Sequence, residues 1–185
     1  MEMTKSEKLI LLMLSEIYEK LELKSIDTKF LSSAISSGDT WAIEWEIPAI
    51  RGNDPDMPPR DVANVVDYLD MWMFLEEASK TLSPEEREKI ENLSLPFGSH
   101  LLFPGFDGNN ESRELSIAKL LIEDMGRFTK FQGRNLNSHA PMLNLYAGMY
   151  DVFIPMRESL AGIRNLTSDQ MIEILTAAKA SLKNY

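Results

Sequence analysis

Apolar residues recur at helical spacing along most of the chain, and strict alternation of apolar and polar residues is rare. Because residues three, four and seven apart share one helix face, this pattern predicts an all-α fold. We expect a single domain over residues 1–185, built from about seven or eight helices. The predicted helices cover approximately residues 6–23, 27–38, 39–48, 59–81, 84–93, 110–125, 141–160 and 167–182.

The first predicted helix is amphipathic and begins at a capping box formed by Thr4 and Glu7, and the last begins at another, formed by Thr167 and Gln170. Acidic residues flank its apolar run and no small-residue cleavage site follows, so we interpret it as a helix of the mature protein and not a signal peptide. One stripe of this helix is predicted to be buried: Leu9, Leu12, Met13, Ile17 and Leu21.

The long helix predicted over 59–81 is apolar nearly all round at its centre, residues 68–75. Such a helix lies either at the centre of a fold or in the interface of an oligomer.

Proline and glycine residues predict an irregular loop over residues 49–59. Asp39 is predicted to cap the third helix. Pro155 predicts a kink or a break in the helix over 141–160.

Composition restricts the class of protein. The 11 methionines predict a Met-rich interior or, alternatively, a Met-lined partner surface. The absence of cysteine excludes disulfides, thiolate zinc sites and a cysteine nucleophile, and it fits a cytoplasmic location. No apolar segment has the length of a membrane span, so we expect no membrane association.

The net charge of −10 is concentrated in the first half of the chain. Residues 27–95 carry six cations and fifteen anions, whereas residues 96–185 carry nine of each. An acidic surface repels phosphate backbones and anionic lipid, so nucleic acids and membranes are disfavoured as partners.

Familiar catalytic motifs do not occur in the sequence. It contains no GxxxxGK[ST] phosphate loop, no GxGxxG, no HExxH and no GxSxG nucleophile elbow. This absence favours a protein that is not an enzyme, and we predict no cofactor.

Three carboxylates on the long helix form one candidate metal site. Asp67, Asp70 and Glu77 are three and seven residues apart, which places them along one helix face. All-α phosphohydrolases hold magnesium with such carboxylates, and the pair Glu123–Asp124 could face them. The alternative, which we favour, is a solvated stripe on an otherwise buried helix.

A short segment alternates cations with aromatic rings: Arg127, Phe128, Lys130, Phe131 and Arg134. Aromatic side chains beside Arg and Lys can stack a base and hold a phosphate. In the alternative the two phenylalanines anchor a structural loop, and Arg127 pairs with an acid such as Asp124.

Two histidines, His100 and His139, could each serve as a general base. His139 is the better candidate because Arg134, Asn135 and Asn137 lie near it in sequence. A structural role is the alternative, since no nucleophile pattern accompanies either residue.

The turn at Gly38 and Asp39 has the form of a helix-turn-helix. A recognition helix offers Arg, Lys, Asn or Gln to base edges. The third helix carries Trp41, Glu44 and Glu46 instead, which disfavours DNA reading.

Three segments occur in a characteristic order: Phe103–Asp107, Gly126–Phe131 and Asn137–Met142. Together with the opening Met-Glu-Met-Thr, they resemble the YfbU-like family of uncharacterised bacterial proteins. The resemblance is clearest over residues 103–175, although this chain has Met125 where the family pattern has Glu. It implies an all-helical, cytosolic, bacterial protein that self-associates, and it implies no reaction or catalytic residue.

Within this signature we expect Asp107 to be a helix cap or turn clamp. Gly105 and Gly126 are predicted to be conformationally permissive positions. Arg127 is predicted to be the most constrained charge.

The leading hypothesis is a non-enzymatic, homo-oligomeric interaction or regulatory protein with a protein partner. One alternative is an enzyme or binding protein for a small phosphorylated or nucleotide ligand, held by Arg127, Lys130, Arg134 and His139. The second alternative is a helix-turn-helix DNA-binding regulator.

Overall fold

The computed structural model describes residues 3–50, 57–92, 101–160 and 165–182. Within these ranges the chain forms eight α-helices in one domain and no strand, so the predicted all-α fold is confirmed. The helices are α1 (Lys5–Lys20), α2 (Thr28–Ser37), α3 (Thr40–Glu46), α4 (Arg60–Ser79), α5 (Pro84–Glu91), α6 (Ser112–Lys119), α7 (Leu143–Ser159) and α8 (Ser168–Leu182).

Irregular turns complete the described structure. Pro48–Ile50 and Thr129–Phe131 form 3-10 turns, and α6 continues into a π-helical turn at Leu120–Asp124. Residues 51–56 of the predicted loop and His100 lie outside the described residues.

Side-chain caps define several helix starts, as the sequence predicts. In α1 the Glu7 backbone N–H donates to the Thr4 hydroxyl at 3.2 Å, and the Thr4 N–H donates to the Glu7 carboxylate at 2.8 Å. Thr167 and Gln170 form the same reciprocal pair before α8. Each cap satisfies N–H groups that have no partner within the helix.

The predicted cap at Asp39 is wrong. Its carboxylate makes no cap bond to α3 and instead pairs with Arg113 at 2.6 Å and accepts the Trp41 indole N–H at 2.8 Å. Asp39 is completely buried, so a cationic partner stabilises the carboxylate more than a neutral backbone N–H would.

Of the kink or break predicted at Pro155, the break does not occur, because α7 runs through it to Ser159. The kink stays a prediction. Pro155 lies on the exposed side of the helix, as does Asp151 one turn earlier. Water can therefore satisfy the carbonyl that the proline leaves without a helical donor.

Helix α4 is the centre of the core. Its buried residues lie around most of the helix, and they include Val62, Val65, Leu69, Met71, Trp72 and Leu75, all without exposed surface. Helices α6 and α7 pack directly on α4, and α8 packs on α7. Neither α4 nor any other helix in the described ranges is long and apolar enough to cross a membrane.

The stripe of α1 that was predicted to be buried is mostly exposed. Leu9, Met13, Ile17 and Leu21 are 53% to 64% exposed, and only Leu12 is partly buried. Helix α1 packs on α2 with its other side, where Ser15 is buried. Because α1 is apolar on both sides, periodicity alone does not show which side faces the core.

The segment before α6 contacts the segment before α7 through a single parallel β-bridge between Phe106 and Asn137. The Phe106 N–H donates to the Leu136 carbonyl at 2.9 Å, and the Ser138 N–H donates to the Phe106 carbonyl at 3.1 Å. Gly105 has a φ of +93°, and a Cβ there would lie 1.8 Å from the Leu136 carbonyl oxygen. Only glycine fits at this position.

We predict that Gly105→Ala destabilises the protein by about 3 kcal/mol or more, since a positive φ and an overlap with backbone both oppose the methyl group. Gly133→Ala is the matched control, because Gly133 has a φ of +73° with no atom within 4 Å of a new Cβ. It should cost about 1 kcal/mol. Chemical denaturation measures both, and equal losses would contradict the steric argument.

Candidate functional site

The basic loop, defined here as residues 127–134, places each of its three cations against a carboxylate of another helix. Arg127 pairs with Glu46 of α3 at 2.9 Å, and Lys130 pairs with Glu77 of α4. Arg134 pairs with Glu76, also on α4. The loop is therefore fastened to the acidic first half of the chain by three ion pairs.

The pair between Arg134 and Glu76 is the most enclosed of the three. Two guanidinium nitrogens of Arg134 donate to the two Glu76 carboxylate oxygens at 2.7 and 2.9 Å. Glu76 is buried and also accepts the Phe103 backbone N–H at 2.8 Å. The Arg134 guanidinium lies over the Phe131 ring, 5.2 Å from its centroid. A two-pronged ion pair of this kind fixes orientation as well as charge.

Arg127 and Lys130 make more exposed contacts. The Arg127 guanidinium stacks over Trp45, 5.3 Å from the ring centroid. The carboxylate that pairs with Arg127 is thus Glu46 and not Asp124. Asp124 instead accepts a hydrogen bond from the Ser33 hydroxyl at 2.9 Å.

The contact with Lys130 changes the pKa of the Glu77 carboxylate. The hydrogen bond from Lys130, followed by that from Lys80, lowers the pKa of Glu77 below its ordinary value. The carboxylate therefore stays ionised and paired over the physiological pH range.

These pairs define what a ligand at the basic loop would have to do. A phosphate approaching Arg127, Lys130 or Arg134 would compete with a carboxylate already in contact with that cation. For Arg134 it would also leave the buried Glu76 without its counter-charge. The ligand-binding role of the loop stays a prediction.

The candidate metal ligands on α4 contact three separate partners. Asp70 pairs with Arg157 at 2.7 Å, Asp67 accepts a hydrogen bond from Tyr150, and Glu77 faces Lys130. Within the part of the chain that the structure describes, no group of three or more His, Asp or Glu side chains could hold a metal ion.

The contact between Asp67 and Tyr150 shifts both titrations. Burial raises the pKa of Asp67, and the hydrogen bond from Tyr150 partly opposes that shift. Burial and the bond to Asp67 raise the pKa of Tyr150 to about 12. The Tyr150 phenol therefore remains a neutral hydrogen-bond donor at physiological pH.

His139 is exposed, in the left-handed backbone region with a φ of 56°. Its N–H donates to the Asn137 side-chain oxygen at 3.0 Å, which stabilises this turn before α7. The Asn137 oxygen also accepts the Gly108 N–H at 3.0 Å. The structure thus places His139 beside the Asp107 turn and not beside the basic loop's ion pairs.

Asp107 and Glu111 form a second buried polar cluster. The Glu111 carboxylate accepts N–H groups from Asp107 at 2.9 Å, Met142 at 2.6 Å and Leu143 at 2.7 Å. It thereby caps α7 from the start of α6. Asp107 accepts from the Asn110 side chain and from the Asn109 N–H, and these bonds lower its pKa.

A third cluster involves Arg113 of α6. Besides the buried Asp39, this guanidinium contacts Asp61 at the start of α4 at 2.8 Å. It thus connects the beginnings of α3, α4 and α6.

The sequence patterns above did not identify Glu76, Glu111 or Arg113. A signal for Glu76 was available, because it lies four residues after Trp72 and seven after Leu69, on the buried side of α4. Nothing local signals Glu111, since its partners Met142 and Leu143 are about thirty residues away in the chain.

An apolar surface that was not predicted lies on and just after α1. We call it the α1 face, and it consists of the half-exposed side chains of Leu9, Ile10, Met13, Leu14, Ile17, Leu21, Leu23 and Ile26. Its later part borders a groove of about 280 Å³ between α1, the following loop and α2. The groove walls are mostly aliphatic and also include Ser15, Tyr18 and Thr28. Such a largely apolar lining suits an apolar side chain better than a charged substrate.

Comparisons with known proteins agree with the signature. A family model described as YfbU domain matches residues 1–177 of the chain. The chain is also similar to UPF0304 protein MJECS11 of Methanocaldococcus jannaschii, with 30% identity over 128 residues that cover 66% of this chain and 70% of that protein. The predicted resemblance is therefore confirmed.

We predict that Arg134→Ala destabilises the protein by about 3 kcal/mol, because it leaves the buried Glu76 carboxylate without its cation. Arg127→Ala, the matched control, should cost about 1 kcal/mol or less, since its ion pair and ring contact are half-exposed. Urea denaturation compares the two. Loss of stability in Arg127→Ala equal to that in Arg134→Ala would refute this ranking.

Proposed function

We propose that this chain, which belongs to the YfbU family, is a non-enzymatic interaction protein that acts as a homo-oligomer. The observation that carries the proposal is the exposed apolar α1 face. Regulatory action would follow from what the assembled protein binds.

The α1 face is unusual for a monomer in its size and concentration. Of the eleven large apolar side chains exposed among the described residues, eight belong to it. Contiguous apolar patches beyond a few hundred Å² on soluble proteins mark association sites, whereas scattered apolar residues do not.

Local hydrogen bonds also stabilise the helix that carries the α1 face. The capping box at Thr4 and Glu7 fixes the start of α1, and Ser15 on its other side is buried and donates to the Leu11 carbonyl at 2.8 Å. A partner would thus meet a preformed helix, which keeps the ordering cost of association small.

The position of α4 supports the same conclusion. Its apolar centre fits either a central helix or an oligomer interface by pattern alone. Because α4 is enclosed by α6 and α7, its apolar surface is used within the fold. Among the described residues, the main group of exposed apolar side chains is that of α1 and the turn after it.

The alternatives receive less support. A small phosphorylated ligand would have to displace Glu46, Glu76 or Glu77 from the basic loop. A DNA-binding role would need cations on α3, whose less buried residues include Glu44, Trp45 and Glu46.

We predict that the protein sediments as a dimer or larger oligomer at micromolar concentration. Met13→Glu should weaken self-association by at least about a hundredfold, because it places a charge in an apolar interface. The substitution should leave the thermal stability of the subunit nearly unchanged, since Met13 is 57% exposed.

Met57→Glu is the matched control, because Met57 is 88% exposed and lies away from the α1 face. It should sediment like the unmodified protein. A strict monomer for the unmodified protein, or equal effects of the two substitutions, would overturn the proposal.

A further inference from the structure

The α1 face has two parts of different shape. Its first part is a ridge formed by Leu9, Ile10 and Met13, which are 54% to 59% exposed and do not line the groove. Its second part is the groove, whose lining begins only at Leu11 and includes Leu14, Ile17, Leu21, Leu23, Ile26 and Leu31. The face thus carries a projecting part at one end and a receiving part at the other.

We infer that the occupant of the groove is α1 of a second copy of this chain, lying antiparallel to the first. This inference rests on the proposed function and specifies its partner and geometry. A two-fold dimer uses the same patch of both subunits. In the antiparallel arrangement the ridge of each copy enters the groove of the other, whereas a parallel arrangement would set ridge against ridge.

Charge favours the same orientation. The start of α1 carries Lys5 and Lys8, while the Glu7 carboxylate between them is engaged by Thr4. The end of α1 and the following turn carry Glu16, Glu19 and Glu22 against Lys20 and Lys24, and the Glu19 carboxylate accepts the Thr28 hydroxyl at 2.8 Å. The start of the helix is therefore net positive and its end net negative. Antiparallel pairing brings the lysines of one copy toward the glutamates of the other, and it also opposes the two helix dipoles.

The area is sufficient for a stable dimer. Eight half-exposed aliphatic side chains offer on the order of 400 Å² of apolar surface per chain, at about 100 Å² for a fully exposed side chain. Two copies would bury about 800 Å² of apolar surface, which corresponds to roughly 1,400 Å² in total for an interface of ordinary composition. That value lies within the range of specific protein–protein interfaces, about 1,200–2,000 Å².

A small apolar molecule is a poorer occupant. The groove volume of about 280 Å³ is at the lower limit of small-molecule pockets. Such a molecule would also leave Leu9, Ile10 and Met13 uncovered, because these residues lie outside the groove. A second α1 covers both parts at once.

The absence of cysteine makes the orientation testable by disulfide formation. When Met13 of one copy lies opposite Ile17 of the other, Leu9 lies beside Leu21 of the partner. Two copies of residue 9 would then be twelve helical positions apart, about 18 Å. A disulfide requires Cα atoms within about 7 Å.

The experiment mixes the full-length L9C variant with L21C carrying a size tag and oxidises the mixture. We expect L9C–L21C heterodimers about tenfold or more above the collision background given by M57C, because assembly raises the effective concentration of the two thiols. If L21C fails to fold, M13C mixed with I17C is the second pair, because Met13 lies opposite Ile17 of the partner in this register. L9C alone should give only background.

Three outcomes would overturn the inference. Efficient L9C–L9C dimers would show parallel pairing. Background cross-linking in every mixture, with the unmodified protein still sedimenting as an oligomer, would place the interface elsewhere and leave the proposed function standing. A monomer whose groove binds an apolar dye would assign the face to another occupant and overturn the proposed function as well.

Discussion

The enclosure of α4 is the constraint on which the other features of the fold depend. This helix has buried residues around most of its circumference, so neighbours must cover it from several directions. It also carries a buried carboxylate, Glu76, whose charge requires a cation within hydrogen-bond reach. Arg134 supplies that cation, and the Phe103 N–H supplies a further donor. One carboxylate therefore joins α4 both to the family signature, at Phe103, and to the basic loop, at Arg134.

Residues near the Arg134–Glu76 pair in the chain, some of them in the signature, position the backbone around it. Gly105 permits the close approach to Leu136, and the Tyr146 hydroxyl donates to the Gly105 carbonyl at 2.7 Å. Glu111 caps α7 and so fixes Tyr146 against the rings of Phe103 and Phe106. The contacts of residues 103–146 thus connect α4, α6 and α7.

Local chemistry explains which features were predictable. The caps at Thr4 and Thr167 were predicted because their partners lie three residues away. The helical character and central place of α4 followed from its apolar periodicity. The partners of Glu76 and Arg127, and the α7 partners of Glu111, lie between 27 and 81 residues away, and pairing over such separations has no local signature. The exposed stripe of α1 was predicted to be buried because the helix is apolar on two sides. The sequence of such a helix does not show which side faces the protein core.

That two-sided character of α1 connects the fold to the proposed role. One side of the helix contacts α2, and the other presents the α1 face, so α1 links the subunit core to its surroundings. In the proposed dimer, apolar contacts would supply the affinity for the partner, while the charges at the two ends of α1 would set its orientation. In this account the helix is part of the assembled protein's core and not a surface helix.

The most direct measurement of that claim is the peroxide oxidation rate of Met13 as the protein is diluted, followed by mass spectrometry with Met57 as the internal reference. A partner helix would shield Met13, so its oxidation should be slow at high concentration and rise on dilution, while the rate at the 88% exposed Met57 stays constant. A Met13 rate that is fast and independent of concentration would contradict the account.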